Sequence, residues 1–282
     1  MKSSIKRVYI EITSRCNLNC AFCTSGSRQG SDMDPVFFES ILKQVKEYTL
    51  YIYLHVQGEP LLHQQFDTIM DLCDAYGMQV QLVSNGTLLS RHPALIDHPS
   101  LRKISFSMQS IEYHSKDEIA LLKEILSFCE MASQRKQPYC EIRFWRDDQL
   151  EQKRTENCLA YLQEHYDFQS SDRKNNYAIM DHVYVDFHNT FAWPSMSLPE
   201  ISRHGKCLGG IRQLAVLCNG TVVPCCLDAE GNISLGSLHD QTLAEILAGR
   251  RYQNLCQGFH NNELREELCR RCPYRQRFDQ KI

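Results

Sequence analysis

Near the N-terminus the sequence reads Arg15-Cys16-Asn17-Leu18-Asn19-Cys20-Ala21-Phe22-Cys23. The three cysteines follow a C-x3-C-x2-C spacing. A cubane iron–sulfur cluster contains four irons and usually takes four thiolates, so three thiolates from one short loop leave one iron without a protein ligand. That open iron can hold a small molecule through an amine and a carboxylate. The alternative is a partial zinc site, although zinc loops usually combine two C-x2-C elements into four ligands.

The cysteine loop resembles the signature of the radical S-adenosylmethionine (SAM) superfamily, in which SAM binds the open iron. An apolar Leu18 and an aromatic Phe22 beside the ligands are also usual in that family. The resemblance implies that Cys16, Cys20 and Cys23 hold a SAM-binding 4Fe–4S cluster. It also implies an enzyme in which an electron from the cluster cleaves SAM to methionine and a 5′-deoxyadenosyl radical, which then abstracts a hydrogen atom from a substrate.

Six strand-like runs alternate with helical patterns along the first two thirds of the chain. The runs cover residues 8–13, 51–56, 79–84, 103–108, 139–145 and 182–187. They are short and almost continuously apolar, which is typical of parallel strands covered on both faces. Helical spacing is clearest at residues 35–48, where Asp34 is a candidate N-cap and Pro35 suits the first turn, and at 116–132. The sequence predicts an α/β fold, a partial (β/α)6 parallel barrel.

Sites in parallel α/β barrels lie at the carboxyl ends of the strands. The cysteine loop follows the first predicted strand, so it falls at this end. Residues 193–199 look like a linker, and the character of the sequence changes after them. We therefore predict a barrel domain over residues 1–200 and a small C-terminal hairpin-plus-helix iron–sulfur domain over residues 201–282. Asn219-Gly220, between apolar runs, predicts the hairpin, and helices are predicted near residues 243–248 and 263–268.

The C-terminal part contains a second set of candidate metal ligands. These are Cys207, Cys225, Cys269 and Cys272. Four thiolates can close around a 4Fe–4S cluster or a zinc ion. The arrangement resembles the SPASM domain and its shorter form, the twitch domain, which bind auxiliary clusters in radical SAM enzymes. The resemblance implies one auxiliary 4Fe–4S cluster, with a structural zinc as the alternative.

Neighbouring cysteines complicate the choice of these ligands. Cys226 follows Cys225, and adjacent strand residues point to opposite faces. We choose Cys225 because it follows Gly220 with the G-x4-C spacing of the resembled domain. Cys218 is interpreted as a hairpin residue, with a role as a spare ligand left open, and Cys256 has no assigned role.

Polar groups at predicted strand ends are candidates for binding SAM. Gly58-Glu59-Pro60 follows the second strand and resembles the GGEP element that holds the SAM amine, with Gln57 in place of the first glycine. Asn85, followed by Gly86, ends the third strand, and Ser107 and Gln109 end the fourth. The alternative interpretation is ordinary turn chemistry.

Arg143 is unusual because a strand covered on both faces rarely carries arginine unless it is paired or binds an anion. It either forms a salt bridge with Glu141 or another carboxylate, or contacts SAM or substrate. After the sixth strand, Asp186 and His188 are weaker candidates for the substrate pocket. Trp193 and Asp228 are candidates of the same kind.

Composition restricts the class of protein. The chain has 282 residues, with 31 Lys+Arg against 34 Asp+Glu and a net charge of −3, and this balance argues against a nucleic-acid partner. No signal peptide and no apolar run of membrane-spanning length is visible, so we expect no membrane association. The 14 cysteines then suggest a reducing, cytoplasmic protein in which thiols bind metal or are buried.

The predicted function is hydrogen-atom abstraction from a substrate that the sequence does not identify, with a net oxidation of a small molecule if the auxiliary cluster accepts an electron. Peptide, protein or RNA modification by the same radical chemistry is the alternative. A non-catalytic iron–sulfur or zinc protein is a different class, and Glu59 with its neighbours argues against it, because an electron carrier needs no site for the SAM amine. Expected partners are a small-molecule or peptide substrate and a reductant such as flavodoxin or ferredoxin.

Overall fold

Eleven β-strands and seven α-helices lie in the residues that this computed structural model describes, namely 5–24, 30–146 and 152–278. The strands are β1 (Arg7–Ile10), β2 (Tyr51–Tyr53), β3 (Gln79–Ser84), β4 (Leu101–Ser107), β5 (Tyr139–Arg146), β6 (Gln169–Ser170), β7 (Asn176–Met180), β8 (Val183–Asn189), β9 (Gln213–Val216), β10 (Thr221–Val223) and β11 (Gly236–Ser237). The helices are α1 (Pro35–Val45), α2 (Phe66–Ala75), α3 (Glu118–Arg135), α4 (Lys153–His165), α5 (Leu243–Ala248), α6 (Arg250–His260) and α7 (Glu267–Arg270). Within those ranges no helix is long and apolar enough to cross a membrane.

The chain forms two compact units, each built from separate segments. The first unit contains the described residues up to Ser14, Thr24–Gly58, and those from Phe191 onwards. In it β1 lies between β2 and β9 and runs parallel to both. β10 returns antiparallel to β9, and β11 pairs with β10. The hairpin predicted from Asn219-Gly220 therefore forms, and Gly220 adopts the positive φ of 80° that its turn requires.

Helix α1 begins as its sequence predicts. The Asp34 carboxylate accepts hydrogen bonds from the backbone N–H groups of Val36 (2.9 Å) and Phe37 (3.2 Å), and Pro35 occupies the first turn. A side chain that accepts from these otherwise unpaired N–H groups stabilises a helix start. The predicted N-cap is confirmed, although the helix ends at Val45 rather than continuing to residue 48.

The second unit contains Arg15–Cys23 and Glu59–Thr190. Its sheet has β3, β4, β5 and β8 in parallel order, continued by β7 and β6 in antiparallel pairing. The predicted α/β class with a parallel sheet is confirmed. The domain boundary at residue 200 stays a prediction.

The two faces of this second sheet differ in chemistry. One face is apolar and buried, with Leu82, Ile104, Phe106, Cys140, Ile142, Phe144, Val185 and Phe187. Phe106 of this face meets Phe128 of α3 with ring centroids 6.0 Å apart. Because alternate strand residues point to opposite faces, the other face carries Lys103, Ser105, Ser107, Glu141, Arg143, Asp186 and His188. This second face is polar although the strands are otherwise apolar, so a polar ligand can bind there.

The C-terminal helices differ from the sequence prediction. Helix α6 was not predicted, because its apolar residues Tyr252, Leu255 and Phe259 lie in a strongly polar stretch that also contains Gly258. The helix predicted at residues 263–268 begins only at Glu267, since Glu263 forms an isolated antiparallel bridge with His204 instead.

Candidate active site and auxiliary metal centre

The cysteine loop is folded by backbone contacts within the second unit. Glu59 N–H donates to the carbonyl of Arg15 at 2.8 Å, and Cys23 N–H donates to the carbonyl of Cys20 at 3.0 Å. The N–H of Leu18 points at Cys16 Sγ at 3.5 Å. Burial, followed by the neighbouring thiols of Cys16 and Cys23, raises the pKa of Cys20 to about 12. Electrostatic effects of this kind fall with distance, so the three sulfurs lie near one another.

A side-chain network joins this loop to the end of β3. Asn17 Nδ2 donates to Thr87 Oγ1 at 2.8 Å, and Asn85 Nδ2 donates to Asn17 Oδ1 at 3.0 Å. Asn85 Oδ1 in turn accepts from the Thr87 hydroxyl at 2.6 Å and from its backbone N–H at 3.0 Å. Gly86 between them has φ 78°, and a Cβ there would approach Ile125 Cδ1 to 2.7 Å. These hydrogen bonds hold Asn17, the residue that follows Cys16, against the residues that follow β3.

Asn17 and Thr87 were missed by sequence reasoning. The Asn85-x-Thr87 spacing was an available signal, because an asparagine that accepts from the backbone two residues later is a common turn. The structure therefore shows that the Asn85 side chain is engaged with the cysteine loop.

Glu59 is the most enclosed acidic side chain of this site, with 2% of its surface exposed. Its Oε1 accepts from Ser84 Oγ (2.8 Å) and Leu61 N–H (3.2 Å), and its Oε2 accepts from Asn85 N–H (2.7 Å). Burial raises the pKa of Glu59 to about 7, and the three hydrogen bonds act against this rise. The carboxylate thus ties the Gly58-Glu59-Pro60 turn to the end of β3.

Replacing Glu59 with alanine is expected to lower the free energy of unfolding by about 3 kcal/mol, because the Ser84 hydroxyl and the Asn85 N–H would be buried without an acceptor. Chemical denaturation of the metal-free protein measures the change. Glu39→Ala is the matched control, since Glu39 pairs with Lys43 at 2.9 Å on the surface of α1 and such pairs contribute less than about 1 kcal/mol. Equal stability of the two variants would contradict a structural role for Glu59.

The predicted residues on β4 and β5 lie together. Ser107 and Arg143 are register partners, and Arg143 Nη2 donates to Ser107 Oγ at 2.9 Å. Gln109 is 5% exposed, and among the described residues its Oε1 has no hydrogen-bond partner. A buried amide oxygen without a partner costs free energy unless a ligand supplies the donor. Gln109 therefore suits a ligand that carries hydroxyl or amine groups.

Arg143 does not pair with Glu141. The Glu141 carboxylate instead contacts Lys103 Nζ (2.5 Å) and Arg173 Nη1 (3.0 Å), and it also accepts from Ser105 Oγ at 3.0 Å. Glu141 is thus not the partner of Arg143, and a salt bridge of Arg143 with another carboxylate and a contact with SAM or substrate both stay predictions.

An aromatic contact connects the cysteine loop to β5. The ring of Phe22, next to Cys23, lies 4.7 Å from Trp145 and 5.7 Å from Tyr113. Two other candidates lie elsewhere, in the first unit. Trp193 packs against an apolar cluster that includes Tyr9 and Val56, and the Asp228 carboxylate caps a turn by accepting from Asn232 and Ile233 N–H.

The second set of cysteines converges in the first unit. We call Cys207, Cys225, Cys269 and Cys272 the auxiliary quartet. The backbone N–H of Gly209 points at Cys207 Sγ at 3.4 Å, and a Cβ at Gly209 would lie 3.5 Å from Cys225 Cβ. Burial raises the pKa of Cys269 well above its usual range, and the thiols of Cys207 and Cys272 add to the rise. Burial and the thiols of Cys226, Cys207 and Cys269 do the same for the pKa of Cys225.

Three further cysteines have other partners. Cys226 packs beside the apolar cluster that includes Tyr9. Cys218 Sγ lies 3.4 Å from Ser31 Oγ, and Cys256 lies beside Gly210 together with Tyr252.

The quartet offers four thiolates, which is a donor set that can ligate all four irons of a cubane. Among the described residues, the group of three or more metal-ligating side chains whose atoms lie within 4.8 Å of one another is Asp71, Asp74 and His98. The donor set of the quartet fits a 4Fe–4S cluster.

Comparison with family models identifies the class of protein. The radical SAM superfamily model matches residues 10–143, and the SPASM iron–sulfur cluster-binding domain model matches residues 207–273. The chain therefore carries a radical SAM domain and a C-terminal SPASM domain, which are the domains of an enzyme. These domains imply SAM, a SAM-binding 4Fe–4S cluster and auxiliary iron–sulfur binding.

Curated relatives match over a part of their length. The probable GTP 3′,8-cyclase of Methanosarcina mazei is 27% identical over 110 residues, which is 36% of this chain and 33% of that protein. The tungsten-containing aldehyde ferredoxin oxidoreductase cofactor-modifying protein of Pyrococcus furiosus is 34% identical over 90 residues, 30% of this chain and 25% of that protein. The matched region is thus a third or less of each relative.

Solved structures match over more of the chain. BtrN in complex with AdoMet and 2-DOIA superposes with a TM-score of 0.61 at 16% identity, covering 97% of this chain and 94% of that one. Streptococcus suis SuiB bound to SAM gives a TM-score of 0.63 at 16% identity, covering 89% and 68%. At these identities the likeness shows the fold, which is that of radical SAM enzymes.

Proposed function

We propose that this enzyme is an oxidoreductase that oxidises a small hydroxylated molecule. Cys16, Cys20 and Cys23 would hold the first cluster and leave one iron for SAM. Bound there, the cluster and SAM supply the 5′-deoxyadenosyl radical. The protein residues around them position the substrate and exclude water, so that the radical meets the intended C–H bond.

The observation that carries this proposal is the auxiliary quartet. Four thiolates ligate all four irons of a cubane, so no iron is left open to bind substrate. Two cysteines that could exchange with the four have other neighbours: Cys218 Sγ lies 3.4 Å from Ser31 Oγ, and Cys226 packs beside the apolar cluster that includes Tyr9. A fully ligated cluster suits electron transfer, and an electron taken from a substrate radical makes the net reaction an oxidation.

The SAM contacts that we propose lie in two groups. Gly58, Glu59 and Pro60 would receive the ammonium group, and Asn85 would keep the cysteine loop in register beside it. Ser107, Gln109 and Arg143 would receive the carboxylate and the ribose hydroxyls, with the buried Gln109 Oε1 as the acceptor. At full cluster occupancy Glu59→Ala would weaken SAM binding roughly ten- to a hundredfold if the carboxylate contacts the ammonium.

We favour a cyclic aminopolyol as the substrate class. The order of the motifs resembles that of 2-deoxy-scyllo-inosamine dehydrogenase, a twitch-type radical SAM enzyme. The full-length likeness to BtrN, solved with 2-DOIA, and the polar face of the second sheet support the same class. A flavodoxin or ferredoxin would supply the reducing electron, in the cytoplasm.

Peptide modification is the second candidate. The structures of SuiB with its precursor peptide SuiA and of anSMEcpe with a peptide match this chain with TM-scores of 0.63 and 0.57. The same radical chemistry would then oxidise a side chain or a backbone position of a peptide.

Reconstitution with iron and sulfide, followed by SAM and dithionite, tests the proposal. The substrates are 2-DOIA and other aminocyclitols, inositols and a set of peptides, each deuterated at carbon. Deuterium in 5′-deoxyadenosine and a product two hydrogens lighter, seen with the polyols alone, would support it. Deuterium transfer from the peptides alone would favour the second candidate.

A further inference from the structure

A histidine–aspartate pair lies at the carboxyl end of β8. His188 Nε2 lies 2.8 Å from Asp186 Oδ2. Asp186 is 4% exposed, whereas the His188 side chain is 49% exposed. Asn176 on β7 is the register partner of Asp186. One end of the imidazole is therefore fixed by a buried carboxylate, and the rest of the ring is accessible.

The pair lies on the side of the sheet where the cysteine loop docks. His188 is the register partner of Trp145, whose ring contacts Phe22 at 4.7 Å, and Phe22 precedes Cys23. Asp186 is the register partner of Arg143. Neighbouring strands are about 4.8 Å apart. The backbone of His188 therefore lies one strand spacing from that of Trp145, whose ring contacts the cysteine loop.

The hydrogen bond to Asp186 selects the tautomer of His188. A carboxylate accepts, so Nε2 carries the proton and the Nδ1 lone pair is available. Within the described parts of the chain Nδ1 has no hydrogen-bond partner. Burial alone would raise the pKa of Asp186, but its hydrogen bond and charge interaction with His188 lower the pKa overall, so the carboxylate is available to stabilise an imidazolium.

We propose that His188 is the proton acceptor of the oxidation, oriented by Asp186. The inference rests on the proposed function. The C–H hydrogen atom leaves with the 5′-deoxyadenosyl radical, giving 5′-deoxyadenosine and a carbon radical. The hydroxyl proton passes to His188 Nδ1, one electron passes to an oxidised iron–sulfur cluster, and the C=O bond forms. His188 takes only the hydroxyl proton; the hydrogen atom and the electron leave by the other two routes.

Other groups on the polar face of the sheet are unsuited to this step. The Glu141 carboxylate is engaged by Lys103, Arg173 and Ser105. Arg143 is a permanent cation and has no lone pair to accept a proton. Among the described residues of that face, His188 has a ring nitrogen whose lone pair is accessible and can accept a proton.

His188→Gln tests the proposal, because glutamine can still donate to Asp186 but cannot take the proton. The matched control is His182→Gln. His182 pairs with Asp181 at 2.8 Å but lies just before β8, at the opposite end of the strand. A His188→Ala variant is assayed with and without added imidazole. Each protein is given carbon-deuterated 2-DOIA and the aminocyclitol and inositol set, and both 5′-deoxyadenosine labelling and oxidised product are measured.

We expect His188→Gln to lose about a hundredfold in product formation, the usual size of a general-base effect, while deuterium still reaches 5′-deoxyadenosine. Imidazole should restore product formation to His188→Ala, and His182→Gln should behave as wild type. Product formation by His188→Gln at the wild-type rate would overturn the proposal and leave the proposed function standing. No labelling and no product from any polyol with the wild-type enzyme would overturn the proposed function, and this inference with it.

Discussion

Replacement of Cys16, Cys20 and Cys23 together by alanine is expected to lower the iron content from about eight to about four per chain, because one of two cubanes is lost. Reductive SAM cleavage should be abolished, since no open iron is left to hold SAM. Iron analysis and chromatography of 5′-deoxyadenosine after incubation with SAM and dithionite measure both effects.

The matched control replaces three cysteines that lie outside both centres. Cys73, Cys129 and Cys158 are buried in α2, α3 and α4. Their replacement by alanine should keep about eight irons and SAM cleavage, with some loss of stability from the smaller side chains. Formation of 5′-deoxyadenosine by the first triple variant would contradict the assignment of the cysteine loop.

Cys225→Ala and Cys226→Ala are expected to differ sharply, although the residues are adjacent. Cys225 lies with Cys207 and Cys269, so its loss should remove the auxiliary cluster and about four irons. Cys226 packs beside the apolar cluster that includes Tyr9, so its loss should keep both clusters. SAM cleavage should survive in each variant, and oxidation of the substrate should fail in Cys225→Ala alone.

Electron paramagnetic resonance of the reduced proteins separates the two clusters, with the cysteine-loop triple variant as the reference for the auxiliary signal. The reverse result, with the auxiliary signal lost in Cys226→Ala and kept in Cys225→Ala, would show that the ligand choice is wrong. If the wild-type protein contained one tightly bound zinc and about four irons, the assignment of an auxiliary cluster would be wrong, and so would its role as electron acceptor.

Much of the first centre could be predicted from the sequence because its determinants are local. The C-x3-C-x2-C spacing fixes how far apart three thiols can be on one loop, whatever surrounds them. The Asn219-Gly220 hairpin, the Asp34 cap and the alternation of apolar strands with helices are equally local, and each is observed. Helix α6 was not predicted, because its apolar residues are buried by packing against other parts of the chain and the local sequence does not show this packing.

The class of fold, the resemblance to the radical SAM family and the sets of cysteines proposed to hold metal could therefore all be predicted from local sequence. Which polar groups face one another became visible only in the folded chain. Glu141 pairs with Lys103 and Arg173 rather than Arg143, and Glu59 accepts three hydrogen bonds at the end of β3. His188 comes to lie beside Trp145 only once β8 has found its register against β5. The spacing of residues along the chain is set by covalent bonds and can be read from the sequence. The pairings depend instead on strand register and on the energetic cost of burying an unpaired charge, and both act between residues distant in sequence.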